Sequence, residues 1–520
     1  MTARGVFLLA LAGGLLAAAA DRELTGKVVD ANTGEPIARA RLTLHFYQAG
    51  PQVEVTLLSD ADGSFRIANL PEGNYQVSCE KAGYLPGNQG MGPANPADGK
   101  AAETLVLKLT AQAAIEGMVV DDKDVPAENT VIQLVRQQVV NGKRQFQVAA
   151  GDGTDETGHF RLFGLAAGRY YVGIAARVSG MRRANSVAYP PLFYPNATEI
   201  VAAQPVDLKA GDDQEIRIRL PEPVPAREIR GVVAGAGTYA NVFLTRQPAG
   251  LSPLPPTTEN NWDAKTRTFR ISHVTPGIYL LTANVQDGKN WLQAGTMVTV
   301  GNADITGIRL EMAETGIDGT VRVEGITGQA RPLSYVTFQS QRNGNGAQVD
   351  PEGKFHATNL PPDTYRVIPQ INGPMCVRSI LQGGRDVRDG VVVAAEGAPA
   401  PIEIVVSSHC GTIEATVAAS DSPLPSNLMA VLLRKAGDEL VLEKQAYIGG
   451  RRGDAAPRFV IQGVAPGDYV LYAWPQDSQI EYANAEYMRQ FESYGTAVTV
   501  TEDGKVSATI DKVLVSAGKN

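Results

Sequence analysis

Apolar and polar positions alternate along much of the chain. Ala40, Leu42, Leu44 and Phe46 alternate with Arg41, Thr43 and His45, and Phe65 and Ile67 alternate with Ser64 and Arg66. A period of two marks a strand with one buried face. Turn chemistry separates the strands at Asp62-Gly63, Pro71-Glu72-Gly73, Ala166-Ala167-Gly168, Pro276-Gly277 and Pro466-Gly467. Helical spacing stands out in one place, Asn484–Tyr494, where Ala485, Met488 and Phe491 fall on one face and Gly495 provides a stop.

A longer pattern recurs five times: Phe, then Leu or Val, then Gly or Asp, then Tyr, with ten residues from Phe to Tyr. It reads Phe65/Leu70/Gly73/Tyr75, Phe160/Leu165/Gly168/Tyr170, Phe269/Val274/Gly277/Tyr279, Phe355/Leu360/Asp363/Tyr365 and Phe459/Val464/Gly467/Tyr469. The spacing predicts that Phe heads a core strand, Gly turns the chain and Tyr begins the neighbouring strand. A strand with a small residue at its heart precedes each copy by 36 to 44 residues, at Gly26, Gly117, Gly231, Gly319 and Ala415. An alternating strand closes each unit: Thr104–Leu109, Glu215–Leu220, Ile305–Met312, Ile402–Val406 and Ala508–Val515. Fixed internal spacing over five copies is the signature of a tandem array. The expected division is 1–20 leader, then all-β sandwich domains at 21–110, 114–221, 227–312, 316–407 and 411–516. Units near 100 residues have the size of an immunoglobulin-like sandwich. Short linkers, one stiffened by Pro221, Pro223 and Pro225, predict an extended rod.

Composition narrows the function. The 520 residues hold 47 Lys+Arg against 55 Asp+Glu, a net charge of −8 with no basic block, which argues against nucleic acid as a partner. Five histidines and three cysteines are scattered, and no cofactor is expected. Arg4, the apolar run Val6–Leu16 and Ala17–Ala20 describe a cleaved secretory signal ending before Asp21. The run is shorter than the roughly 20 residues that span a bilayer, and no second one follows, so the mature chain is expected to be exported without a transmembrane segment.

The first unit resembles a known module. Gly26–Asp30 with Thr33-Gly34-Glu35-Pro36, Asp60-Ala61-Asp62-Gly63, Leu70-Pro71-Glu72-Gly73-Asn74-Tyr75 and Ala82-Gly83-Tyr84-Leu85-Pro86 are similar to carboxypeptidase regulatory-like domains. The resemblance implies a transthyretin-like β-sandwich, related to carbohydrate-binding-like folds, for the whole array; units two to five keep the Gly strand and the Phe–Tyr segment but lose the Thr-Gly-Glu-Pro turn. The family name comes from an appendage of zinc carboxypeptidases, but the zinc ligands are absent: none of His45, His159, His273, His356 or His409 has Glu three residues on. No nucleophile elbow or phosphate loop occurs. Asp60/Asp62 and Asp152/Asp155 read as hairpin turns rather than calcium loops. Arg452-Gly453-Asp454 reads as a basic turn rather than an adhesion tripeptide.

A non-enzymatic exported scaffold or adhesion protein of the cell envelope or extracellular space, in the periplasm, at the cell surface or outside the cell, is the first expectation. A carbohydrate-binding protein using exposed aromatics is the alternative, and an accessory module of a secreted hydrolase or outer-membrane transport system the second. Partners would be a glycan or an envelope protein. The candidate ligand-binding aromatics are Tyr189, Phe193 and Tyr194, in a proline-rich insertion, and Trp262, Trp291 and Trp474, because aromatic rings stack on sugar faces or fill partner pockets. Alternation places Cys79 on the face of Tyr75 and Val77, a buried thiol. Cys376 and Cys410 follow strands that can lie side by side. A disulfide is feasible there, and two free thiols are the alternative.

Overall fold

A computed structural model describes residues 23–47, 54–68, 74–92, 105–179, 187–235, 239–247, 254, 258–287, 290–311, 316–325, 333–340, 344–358, 360, 363–373, 375–393, 399–418, 424–425, 427–437, 439–447 and 457–514. The expected leader, Leu70, Gly73 and the Arg452–Asp454 turn lie outside the described residues. Strands dominate, as the period of two predicts.

In the first segment the Gly strand Leu24–Asp30 lies at the centre of a three-stranded sheet. It runs antiparallel to the Phe strand Ser64–Ile67 and parallel to the closing strand Leu105–Leu109. A second sheet is ordered Glu54–Leu58, Arg41–Tyr47, Asn74–Glu80, Gly87–Gly92. Val28, Leu42, Leu44, Phe65, Val77 and Leu107 fill the space between the two.

The arrangement recurs. Gly strands Arg227–Ala234, Ile317–Glu324 and Gly411–Val417 each pair antiparallel with a Phe strand and parallel with a closing strand. Each of these segments has a second sheet built on its Tyr strand: Gly277–Asp287, Asp363–Ile371 or Gly467–Pro475. In the second segment Ala113–Val120 is the centre of one sheet, and Gly168–Ile174 pairs with Val131–Val140 in another. The last closing strand is Lys505–Ile510, earlier than the expected Ala508–Val515, because the turn ending at Gly504 starts the ladder at Lys505.

The Phe–Tyr pattern works differently from the sequence expectation. Tyr does not begin the strand beside Phe. The Phe and Tyr strands lie in different sheets, and Gly168, Gly277, Asp363 and Gly467 open the Tyr strands, so Phe and Tyr enter one core from two sides. Phe269 and Tyr279 share a core, as do Phe355 and Tyr365, and Phe459 and Tyr469. Phe65, Phe160 and Tyr170 are also buried, and the Tyr75 side chain lies outside the described residues. Crossing places two large rings in facing layers rather than on alternating positions of one sheet, and fills the roughly 10 Å between them.

The small residue of the Gly strand has a steric cause. Gly26 lies opposite Phe65, Gly231 opposite Phe269, Gly319 opposite Phe355 and Ala415 opposite Phe459. A Cβ on Gly231 would stand 2.7 Å from Cζ of Phe269, so the ring occupies the space a side chain would need.

Contacts group the chain into two compact units. One comprises residues up to Glu116 with Arg161–Gly168 and Asp207–Ile216; the other comprises Gly117–Phe160, Arg169–Val206 and Arg217–Asn520. Within the second unit, a rod in which each segment touches only its sequence neighbours does not describe the contacts. The hairpin Val131–Gly153 of the second segment meets Glu439 and Gln479–Ala483 of the fifth.

Candidate binding cleft on the third segment

Segment three presents two adjoining recesses. The strand Glu259–Asp263 forms the edge of the Gly-strand sheet, and Tyr239–Arg246 forms the edge of the other. Glu259–Asp263 is polar except for Trp262, which pairs with Phe269 and packs against the core. Asn260 ties the two edges together, its Nδ2 donating to the Val242 carbonyl at 2.6 Å. Tyr239, Asn241, Asn260, Asn261, Trp262 and Arg270 line a cleft of about 210 Å³ at this seam. Asn261 and Arg270 also line a shallower hollow of about 620 Å³, which adds Arg230, Asp263 and Arg309.

The charges of the hollow are largely matched. Arg270 and Arg230 both bond Glu228, and Arg270 is the main reason its carboxyl is held below the usual carboxylate range. Asp263 is held low by the backbone N–H groups of Thr266 and Lys265. The cleft itself offers amides, a phenol that is 54% exposed at Tyr239, and one indole. Such groups hydrogen-bond and stack against neutral polar ligands. Among the described residues, no three His, Cys, Asp or Glu side chains gather to hold a metal ion.

Three of the six aromatics nominated from sequence are buried and offer no ring to a ligand. Tyr189 and Phe193 are buried and Tyr194 half-buried. The proline-rich insertion folds down because Leu192–Phe193 pairs with Gly173 and Ile174, and Phe193 packs with Val135, Ile200 and Leu254. Trp474 is 2% exposed and stacks on Tyr482 at 6.4 Å under the cap formed by residues 480–494. Trp262 is half-buried in the cleft wall, its Nε1 shielded and without an acceptor. The backbone of Trp291 pairs with Gln286, and its side chain lies outside the described residues. Sequence reasoning missed Tyr239, Asn241, Asn260 and Asn261. Their signal was a lone Trp in an otherwise polar strand.

Cys376 and Cys410 form a disulfide with Cα atoms 6.0 Å apart. Cys79 is a buried free thiol, pushed up to about 11 by burial and by the charge of Glu80. Asp62 and Asp155 accept from Ser64 and from Thr157 and His159 of their own turns, as hairpin turns require.

Residues 23–108 match the family model of the carboxypeptidase regulatory-like domain. No curated protein matches the chain. Among solved structures, the minor pilin GBS52 of Streptococcus agalactiae is 17% identical, covering 40% of this chain and 100% of its own, with a TM-score of 0.21. The shaft pilin SpaA of Lactobacillus rhamnosus GG is 14% identical, with coverage of 39% and 100% and a TM-score of 0.19. The Bacillus anthracis TIE protein is 11% identical, with coverage of 74% of each chain and a TM-score of 0.16. No described helix is long and apolar enough to cross a membrane.

Proposed function

We propose that the chain is an exported, non-enzymatic scaffold or adhesion protein of the cell envelope or extracellular space, built from sandwich domains at 21–110, 114–221, 227–312, 316–407 and 411–516 after a leader at 1–20. The recurrence of one two-sheet plan with filled cores carries this reading. A chain that repeats one core filled by apolar side chains invests its length in spacing and surface. Fractionation of cells expressing the full chain tests it. The protein should leave the cytoplasm with Asp21 or a close neighbour at its N-terminus, and retention inside the cell with Met1 intact would refute export.

A second reading is favoured by the third-segment cleft, where Tyr239, three asparagine amides and Trp262 line a recess of monosaccharide size. On this reading the scaffold carries a saccharide site there. A glycan array with the mature chain tests it, paired with Tyr239→Ala, which removes an exposed ring without touching the core. Array signal that Tyr239→Ala lowers about tenfold, the loss of one good stacking contact, supports the site. Equal signal for both proteins, or none, refutes it.

A further inference from the structure

The hairpin of Val131–Val140 and Lys143–Gly153 is longer than its counterparts Arg41–Tyr47/Glu54–Leu58 and Leu333–Gln339/Gly344–Gln348. Ile132, Leu134 and Val135 are buried, but the first strand is only half-buried from Arg136 onward. Its last partner on the Tyr strand is Tyr170, opposite Arg136, and the ladder to Lys143–Gly153 continues to the tip. The extension therefore adds little to its own sandwich core. Asn141 and Gly142 turn the tip with φ of 51° and 74°, a two-residue connection whose twist matches the strands. The result is a stiff arm.

The arm meets complementary groups on the fifth segment, inside the same compact unit. Val139 N donates to Gln479 Oε1 at 2.7 Å, and Ala483 N donates to the Gly142 carbonyl at 3.2 Å. Gly142 lies so close to Tyr482 that a Cβ would stand 2.5 Å from the ring. Arg144 Nε donates to Glu481 Oε1 at 2.7 Å, and its Nη2 bonds the same oxygen. Glu481 is only 4% exposed, and Asn484 holds its other oxygen at 3.3 Å. Lys143 adds an exposed ion pair with Glu439. Exposed pairs contribute little, whereas a buried carboxylate stripped of its cation is costly.

We infer that this hairpin is a latch, which docks segment two on the aromatic cap of segment five in the same molecule. Arg144–Glu481 specifies the contact and Gly142 gives Tyr482 its seat. The latch links residues 337 apart in sequence and covers Tyr482, which stacks on Trp474. Opening it would free the two segments from each other and uncover that aromatic face.

Hydrogen exchange on the full mature chain tests the latch through two amides that only the contact protects, Val139 and Ala483. Arg144→Glu sets two carboxylates against each other and should speed exchange at both by about tenfold or more. Exchange in Ile132–Val135 and Met429–Leu433 should stay unchanged, which shows that both sandwiches remain folded. The exchanged pair Arg144→Glu with Glu481→Arg should restore protection. Unchanged protection in Arg144→Glu overturns the latch, as does failure of the exchanged pair to restore it. Protection that rises with protein concentration overturns it too, because the contact would then join separate molecules.

Discussion

A glycine in these strands is set by a ring on the next one. Gly319 faces Phe355, and a Cβ there would fall among Cζ, Cε1 and Cε2 of the ring. Gly319→Ala should destabilise the fourth segment by about 1–3 kcal/mol, because a packed aromatic has to shift. Hydrogen exchange of the amides of Lys354–Ala357 reads this locally, and unchanged protection would contradict it. Ala415 opposite Phe459 shows that one segment has repacked to take a methyl, so the cost lies in the fit between two side chains rather than in the strand. Cys79 poses a different residue-scale test. Its thiol titrates near 11 in the fold and near 9 when exposed, so the folded state favours the protonated form. The stabilisation is complete below about pH 9 and is lost as pH rises toward 11, by about 1.4 kcal/mol per unit. Iodoacetamide should label Cys79 far more slowly in the native protein than in urea at the same pH, and equal rates would show that the thiol is not shielded.

At the scale of elements, the recurring tyrosine ties its own corner. Tyr279 OH donates to the Thr275 carbonyl at 2.9 Å, and Tyr469 OH to the Ala465 carbonyl at 2.7 Å. Each bond closes over the Pro-Gly step that carries the chain between sheets, and burial raises the phenol of Tyr469 above its ordinary range. Tyr469→Phe should cost about 1–2 kcal/mol by leaving a buried carbonyl without its donor. Hydrogen exchange of the Gly467–Pro475 amides measures it locally, and a loss below about 0.3 kcal/mol would mean water replaces the phenol. Much of this level was legible in sequence: the ten-residue Phe–Tyr spacing, the small residue before it, and the helix at Asn484, whose side chain caps Ala485–Arg489 through Tyr487 N. The helix ends at Arg489, short of the expected Tyr494, and a 3-10 turn at Glu492–Tyr494 follows it; Met488 and Phe491 are buried, but Ala485 is exposed. What sequence spacing does not carry is which sheet a strand joins. Alternation records that one face of a strand is buried, and a strand beside Phe and a strand across from it bury the same residues. The same limit hid the third-segment cleft, because Asn241 and Asn261 gain their meaning from two sheet edges meeting at a seam. It also misplaced Tyr189, Phe193 and Trp474, since an aromatic in a turn-rich stretch reads alike whether it covers a core or leaves it.

For the whole molecule, the decisive covalent feature is the bridge at the exit of segment four. Cys376 opens the strand Cys376–Gln382, which pairs with the closing strand Ile402–Ser407, and Cys376 lies opposite Ser407. Cys410 lies three residues beyond Ser407, just before the Gly strand Gly411–Val417 of segment five. The disulfide therefore fastens the connection between the two segments to the body of the fourth. Around it, Arg378 bonds Glu502 at 2.9 Å and His409 bonds Asp503 at 2.8 Å, both residues of segment five. Exposed pairs of this kind contribute little alone, so the covalent link should dominate the junction. Its sequence separation of 34 corresponds to about 3–4 kcal/mol in the chain-entropy picture. A bridge of this value is kept in an oxidising compartment and lost in a reducing cytosol, which ties the junction to the proposed export. Protein recovered from outside the cytoplasm and denatured without reductant should show one thiol, that of Cys79. Cys376→Ala/Cys410→Ala should lower the protection of the Ile402–Ser407 amides toward exchange by roughly the free energy above, while the Leu24–Asp30 amides of segment one keep theirs. Three free thiols in the exported protein, or a double variant with unaltered protection at Ile402–Ser407, would show that the junction holds without its covalent link.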